Sequence, residues 1–338
     1  MTNRISGILL AVLASALLLS SCTSGVTTPP ALAGDRAARL GAHNDTSTPF
    51  NFVSVPALTR HRYDGRGLRL EREVTRGLAF TRYAVSYRSG RLRITGVMDV
   101  PSRAGRAPLV VLAHGWTDPR RYRSGAMLTR ERETLAEHGF VALQIDYRNH
   151  AGSTREDGRA VPRPLGYPED LVNAVLAVSR ADLPFVDASR VGLLGRSMGG
   201  GVVLNALAAR PRLADAVVLY SPVSARAADN YDRWVAGRPA LQARVERAYG
   251  TPTSHPRVWA RASALGGLGR VDVPVRIHHG TADAVCPRRW SRTTADALRA
   301  GGGDVRLHRY TGQGHRFHGS AWSAFMQRTA RFLHARLD

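Results

Sequence analysis

The sequence predicts an α/β domain. A mostly parallel central sheet carries helices on both faces, an antiparallel hairpin at its N-terminal side and a small helical cap. Three observations lead there. Short apolar runs alternate with helix-length segments along most of the 338 residues, the pattern of successive βα units. Two segments of alternating polarity flank Ser89-Gly90, as in a hairpin. The alternation then lapses between Ser221 and Leu268, where Trp234, Tyr249 and Trp259 gather among prolines; a cap over residues 222–268 is expected.

The elements follow in order. Ala79–Tyr87 and Arg91–Val100 are the hairpin strands, and an antiparallel start is compatible with a parallel sheet. Leu109–Ala113 is a five-residue apolar run, a buried strand. Ala126–His138 has helical spacing and stops at Gly139; Phe140–Ile145 is the next strand. Pro168–Ser179 is a helix opened by proline and two acids, which suit its positive end. Strand Val191–Leu194 runs straight into Gly195, and helix Met198–Ala209 closes before Pro211. Strands Ala216–Tyr220, Val273–His278 and Val305–Tyr310, helix Arg289–Arg299 and a last helix Ala321–Leu337 complete the set.

The N-terminus precedes this domain. Ile5–Leu19 is an apolar run shorter than the roughly 20 residues a membrane span needs. It fits the core of an export signal. Leu19-Ser20-Ser21-Cys22 follows and resembles the bacterial lipobox. The expected organisation is a signal peptide over residues 1–21, a Thr/Ser/Ala/Pro-rich tether over 22–56 and a catalytic domain over 57–338. A lipid on Cys22 would anchor the domain to the outer face of the cytoplasmic membrane; plain secretion is the alternative. Only Cys286 then remains, so an intrachain disulfide is not expected.

The charge is unusual. Lys and Arg number 48 against 26 Asp and Glu, for a net +22, and no lysine occurs, so every basic residue counted is arginine. Such a balance suggests a polyanionic partner. The arginines are scattered, however, and accompany no nucleic-acid-binding motif, so no specific nucleic-acid partner is expected. Anionic lipid or wall polymer is the better match for an exported chain, and codon habit explains the choice of arginine over lysine. A hydrophobic share of 43% excludes a disordered chain.

The chemistry centres on Gly195-Arg196-Ser197-Met198-Gly199, a G-x-S-x-G pattern between a strand and a helix. Glycines permit a tight turn there, which lifts the serine hydroxyl above the sheet, and the helix start favours a developing anion. A serine hydroxyl needs a general base, and the base an orienting acid. His315, in the loop Thr311-Gly312-Gln313-Gly314-His315, is the expected base, with His318 the runner-up. Asp283, on the loop after strand Val273–His278, is the expected acid; Asp272, Asp296 and Asp304 read as solvated charges. The oxyanion donors are expected to be the amides of Met198 and of Trp116, in His114-Gly115-Trp116. His114 reads as loop scaffold rather than a base.

These motifs carry a resemblance. His114-Gly115-Trp116, Asp187 through Gly200, Pro274 through Asp283, and Gly312 through Phe317 together resemble the α/β-hydrolase fold. Within it they are most similar to the catalytic domain of the prolyl oligopeptidase (S9) family and to dienelactone-hydrolase-like esterases. The resemblance implies a Ser197, Asp283, His315 triad. Arg196 replaces the His or Trp common in that family, and is expected to form a structural salt bridge, with binding of an anionic substrate group as the alternative. Cys286 reads as a small packed residue. Only about 55 residues separate the lipobox from the first expected strand, too few for the N-terminal propeller of true prolyl oligopeptidases. The expected substrate is therefore a small or medium acyl ester, with a peptide or amide as the alternative and a non-catalytic binding protein as the remote one. No cofactor and no metal are implied, for want of a phosphate-cradling loop or clustered ligands.

Overall fold

The computed structural model describes residues 54–103, 105–156 and 166–338. The expected signal peptide, Cys22 and nearly all of the tether lie outside the described residues. Nine strands form one sheet: β1 (Arg66–Arg76), β2 (Phe80–Ser89), β3 (Leu92–Pro101), β4 (Ala107–Ala113), β5 (Val141–Ile145), β6 (Val186–Arg196), β7 (Ala216–Tyr220), β8 (Val275–Gly280) and β9 (Val305–Tyr310). Their spatial order is β1-β2-β3-β5-β4-β6-β7-β8-β9. The pairs β1–β2, β2–β3 and β3–β5 are antiparallel, and every later pair is parallel.

The centre of the sheet is buried on both faces. Along β4, Leu109, Val111 and Ala113 face one core while Val110 and Leu112 face the other, the period-two consequence of the pleat. Helices α3 (Gly166–Ala181), α4 (Met198–Ala209) and α8 (Arg288–Ala300) supply the first core. Helices α2 (Thr129–Glu137) and α9 (Gly319–Leu337) supply the second. Continuous apolar strands in the sequence are thus the ones covered twice.

Three departures from the sequence reading have physical causes. Strand β1 was not expected, because Arg66, Arg69, Arg72, Glu71 and Glu73 give it a charged pattern. It is an edge strand with almost every residue exposed, and charge protects such an edge from pairing with another chain. Helix α1 (Val55–Arg60) begins inside the stretch read as tether, which therefore ends sooner than residue 56. Ser54 caps it by accepting from the Ala57 amide at 3.2 Å, and Leu58 packs with Ala209 of α4. Helix α2 starts three residues later than its apolar spacing suggests, since Gly125 and Met127 hold positive φ of 77° and 79°.

Between β7 and β8 the chain forms α5 (Ala227–Trp234), α6 (Pro239–Tyr249), α7 (Pro256–Ala262) and a 3-10 helix, Ala264–Arg270. Tyr231, Val235, Val245 and Trp259 give this segment a small core of its own. Trp234 packs instead on Cys286 and Trp290, and the Arg233 guanidinium donates to the carbonyls of Ala284 and Val285. The segment is therefore tied to the loop that follows β8.

Candidate active site

The turn from β6 into α4 holds Ser197 at φ 55° and ψ −121°. That conformation costs about 1–3 kcal/mol for a residue with a side chain. Backbone bonds enforce it: the Ser197 amide donates to the Tyr220 carbonyl at 3.0 Å, and its carbonyl accepts from Gly200 at 2.9 Å and Val223 at 3.1 Å. The glycines are required by contact. A Cβ on Gly195 would lie 2.5 Å from the Gly199 carbonyl oxygen, and one on Gly199 would lie 1.9 Å from that of Ala113.

The loop after β4 reaches the same place. A Cβ on Gly115 would stand 3.3 Å from the Ser197 Cβ, so the His114-Gly115-Trp116 backbone lies against the elbow. Neither the Met198 nor the Trp116 amide donates to any acceptor among the described residues, which leaves both expected oxyanion donors free. His114 is buried in a cluster of rings, 4.5 Å from Tyr122 and 4.4 Å from Tyr147 between centroids. Burial, reinforced by the neighbouring His150, pushes it down to about 3. It is thus neutral under ordinary conditions, and its Nδ1–H braces the Gly115 carbonyl at 2.7 Å.

The Asp283 side chain is buried on the loop after β8. Its carboxylate accepts from His315 Nδ1 at 2.8 Å, and from the amides of Val285 at 2.8 Å and Cys286 at 2.9 Å. His279 Nε2 adds a fourth contact at 3.3 Å. Burial raises the carboxyl, but the hydrogen bonds from His279 and His315 outweigh it and hold Asp283 well below the usual carboxylate range. With its Nδ1–H committed to Asp283, the His315 ring has no hydrogen-bond partner at Nε2 among the described residues. Gly280 lets the two loops meet: a Cβ there would fall 2.1 Å from the Gln313 carbonyl oxygen and 2.5 Å from that of Gly314. The Ala282 amide donates to that same Gln313 oxygen at 2.9 Å.

Cys286 links the acid loop to the elbow. It is buried, and it packs with Val223, Trp234 and Trp290. Burial, then the Asp283 charge, pushes the thiol up, so it stays protonated and is a poor nucleophile.

Known proteins share the family and the fold. The model of the prolyl oligopeptidase family matches residues 126–338. The chain belongs to that family. The described fold is similar to acetyl xylan esterase 1 of Thermoanaerobacterium sp. JW/SL YS485, with TM-score 0.63, 19% identity, and cover of 84% of this chain and 93% of that one. It is equally similar to the Pyrococcus horikoshii acylaminoacyl peptidase, at TM-score 0.63 and 19% identity, covering 77% of this chain and 42% of that one. Among curated relatives, an uncharacterised 31.7 kDa Escherichia coli protein is 32% identical over 114 residues, 34% of this chain and 37% of its own length. The Thermobifida alba cutinase est2 is 36% identical over 87 residues, 26% of this chain and 27% of its own. The chain thus spans well under half the length of the curated relatives it matches.

Sequence reasoning placed Ser197, Asp283, His315, Met198 and Trp116, and the structure sets them around one end of the sheet. His318 is exposed at the start of α9, where its amide donates to Gln313 Oε1 at 2.9 Å. Asp272, Asp296 and Asp304 are exposed charges, as the sequence reading has them. Each also meets a guanidinium at the surface within 3.1 Å: Arg212, Arg299 in the same helix, and Arg276 respectively. Arg196 is a correction: among the described residues it has no carboxylate within salt-bridge distance, since Asp283 is taken by its own donors. His279 was missed. Its Nε2–H reaches the Cys286 carbonyl at 2.9 Å as well as Asp283, while Nδ1 meets the Ser291 hydroxyl at 2.6 Å. The signal was its place four residues before Asp283.

Proposed function

We propose that the protein is an exported, membrane-anchored serine hydrolase that cleaves carboxylic esters through an acyl-enzyme. The observation that carries the reading is a strained Ser197 at the same end of the sheet as the hydrogen-bonded His315–Asp283 pair and two unoccupied amide donors. His315 Nε2 takes the Ser197 proton as Oγ bonds to the substrate carbonyl carbon. The amides of Met198 and Trp116 receive the oxyanion; one such donor is worth roughly 3–4 kcal/mol in the transition state. Collapse breaks the carbonyl–leaving-group bond, and the departing alkoxide takes the proton from His315. Water then repeats the sequence, giving its proton to His315 and its oxygen to the acyl carbon, and Ser197 recovers a proton as it leaves. Asp283 keeps the imidazole oriented and stabilises its charged form.

Ester cleavage is favoured because an alcohol leaves more readily than an amine, and the cutinase and acetyl xylan esterase likenesses point the same way. Peptide or amide cleavage is the second reading, favoured by membership of a peptidase family. The helices over 222–268 would then act as the cap that limits substrate size. For the N-terminus, the lipobox-like Leu19-Ser20-Ser21-Cys22 supports lipidation at Cys22.

A fluorophosphonate should label the purified protein and fail to label Ser197→Ala; labelling of the variant would remove the nucleophile. Acyl p-nitrophenyl esters run beside aminoacyl p-nitroanilides separate the two substrate classes. Palmitate incorporation in the expressing bacterium should vanish in Cys22→Ala, and an unchanged signal would overturn the anchor.

A further inference from the structure

We propose that Arg196 is a recognition residue for a carboxylate borne by the substrate, so that the hydrolase is selective for anionic esters or amides. The inference rests on the serine-hydrolase reading above.

Arg196 occupies the elbow itself, one residue before the nucleophile, and is 5% exposed. A buried guanidinium ordinarily meets a carboxylate and has all five N–H groups occupied, because an unpaired buried charge is costly. Among the described residues its one hydrogen bond is from Nη1 to the Met127 carbonyl, and it is long, at 3.4 Å. Nε is buried with no partner. The Tyr220 ring lies 5.3 Å from the guanidinium carbon, a contact that places the charge without satisfying its donors.

The surroundings offer no local substitute. Asp283 and Glu131 are near enough to attract Arg196, but neither pairs with it within 4.0 Å: Asp283 is held by its four donors, and Glu131 accepts from the Trp322 indole N–H at 3.3 Å. Arg316, the residue after His315, is close enough to repel it. Residues next to the nucleophile and next to the base in the chain thus both carry a guanidinium, Arg196 buried and under-bonded and Arg316 exposed. The fork of a guanidinium matches a carboxylate in geometry, and a net charge of +22 speeds the approach of anions in general. A neutral substrate would leave the Arg196 donors unfilled on binding, whereas an anionic one supplies the missing counter-charge.

The test compares matched substrates on the full chain. On the acyl side the pair is p-nitrophenyl hemisuccinate and p-nitrophenyl butyrate; on the leaving-group side it is 3-carboxyphenyl acetate and phenyl acetate. In at least one pair the wild type should prefer the anion in kcat/KM by about 10- to 100-fold, the range for a hydrogen bond to a charged group. In Arg196→Gln that ratio should collapse to near unity, and Arg196→Lys should restore part of it. No anionic preference in either pair, or a ratio unchanged in Arg196→Gln, overturns the proposal. A readout without a variant guards against misfolding. At constant ionic strength, acetate but not acetamide should slow fluorophosphonate labelling of the wild type; equal effects would count against the site. Absence of labelling and of all ester turnover would instead overturn the hydrolase reading, a different result from turnover without anionic preference.

Discussion

Gly280→Ala tests whether the site depends on the meeting of two loops rather than on its three side chains alone. Gly280 does not require a glycine-only backbone angle, so the substitution acts by contact. Its new methyl would stand 2.1 Å from the Gln313 oxygen and 2.5 Å from that of Gly314. Ordinary carbon–oxygen contacts exceed 3 Å, so the His315 loop must retreat by about 1 Å, and both obstacles are backbone, which cannot swing away as a side chain can. The retreat pulls the Gln313 oxygen from the Ala282 amide, now at 2.9 Å, and His315 Nδ1 from Asp283, now at 2.8 Å. A misplacement of about 1 Å costs roughly 100-fold in rate, or about 2.7 kcal/mol of transition-state stabilisation. Overpacking adds about 1–3 kcal/mol of lost stability. The assay is kcat/KM on a p-nitrophenyl ester with a thermal melt beside it. Gly266→Ala is the control, since a Cβ at that glycine meets nothing within 4 Å. The expected result is a fall of about 100-fold in kcat/KM with a lowered Tm for Gly280→Ala, and near-neutral behaviour for the control. Wild-type kinetics in Gly280→Ala would refute the claim that loop contact sets the catalytic geometry.

Asp283→Asn should keep the shape of the site while lowering kcat by about 10⁴-fold, the usual cost of losing the orienting acid; a loss under tenfold would exclude Asp283 from that role. Because folding depresses the Asp283 carboxyl, its stabilisation is present above the unfolded carboxyl range and is lost as pH falls through the folded value. The Tm gap between wild type and Asp283→Asn should therefore be largest near neutrality and close only in strong acid; a gap that closes near pH 5 would contradict the hydrogen-bond network. Iodoacetamide should leave ester hydrolysis intact, since Cys286 is buried and its thiol is held protonated. Rapid inactivation would show that Cys286 is exposed and ionised.

The sequence by itself determined the alternation of strands and helices, and hence the α/β class. It did so because strands covered on both faces must be continuously apolar. The runs that became β7 and β9, and the helix that became α4, begin and end in the structure where the pattern places them. It also determined which residues could act, since a serine at a strand–helix turn and a histidine in a glycine-rich loop are local signals. Tertiary structure decided what is non-local. Strand β1 was illegible because an exposed edge carries charge in place of an apolar stripe. The second histidine on Asp283 and the packing of Cys286 on Val223 and Trp234 depend on how the β8 loop folds back, which no periodicity records. Arg196 shows the division most plainly. Its position beside Ser197 is visible in the chain, but that its guanidinium is buried without a carboxylate depends on where Asp283 and Glu131 spend their own hydrogen bonds. Partners so far apart in sequence are assigned only by packing.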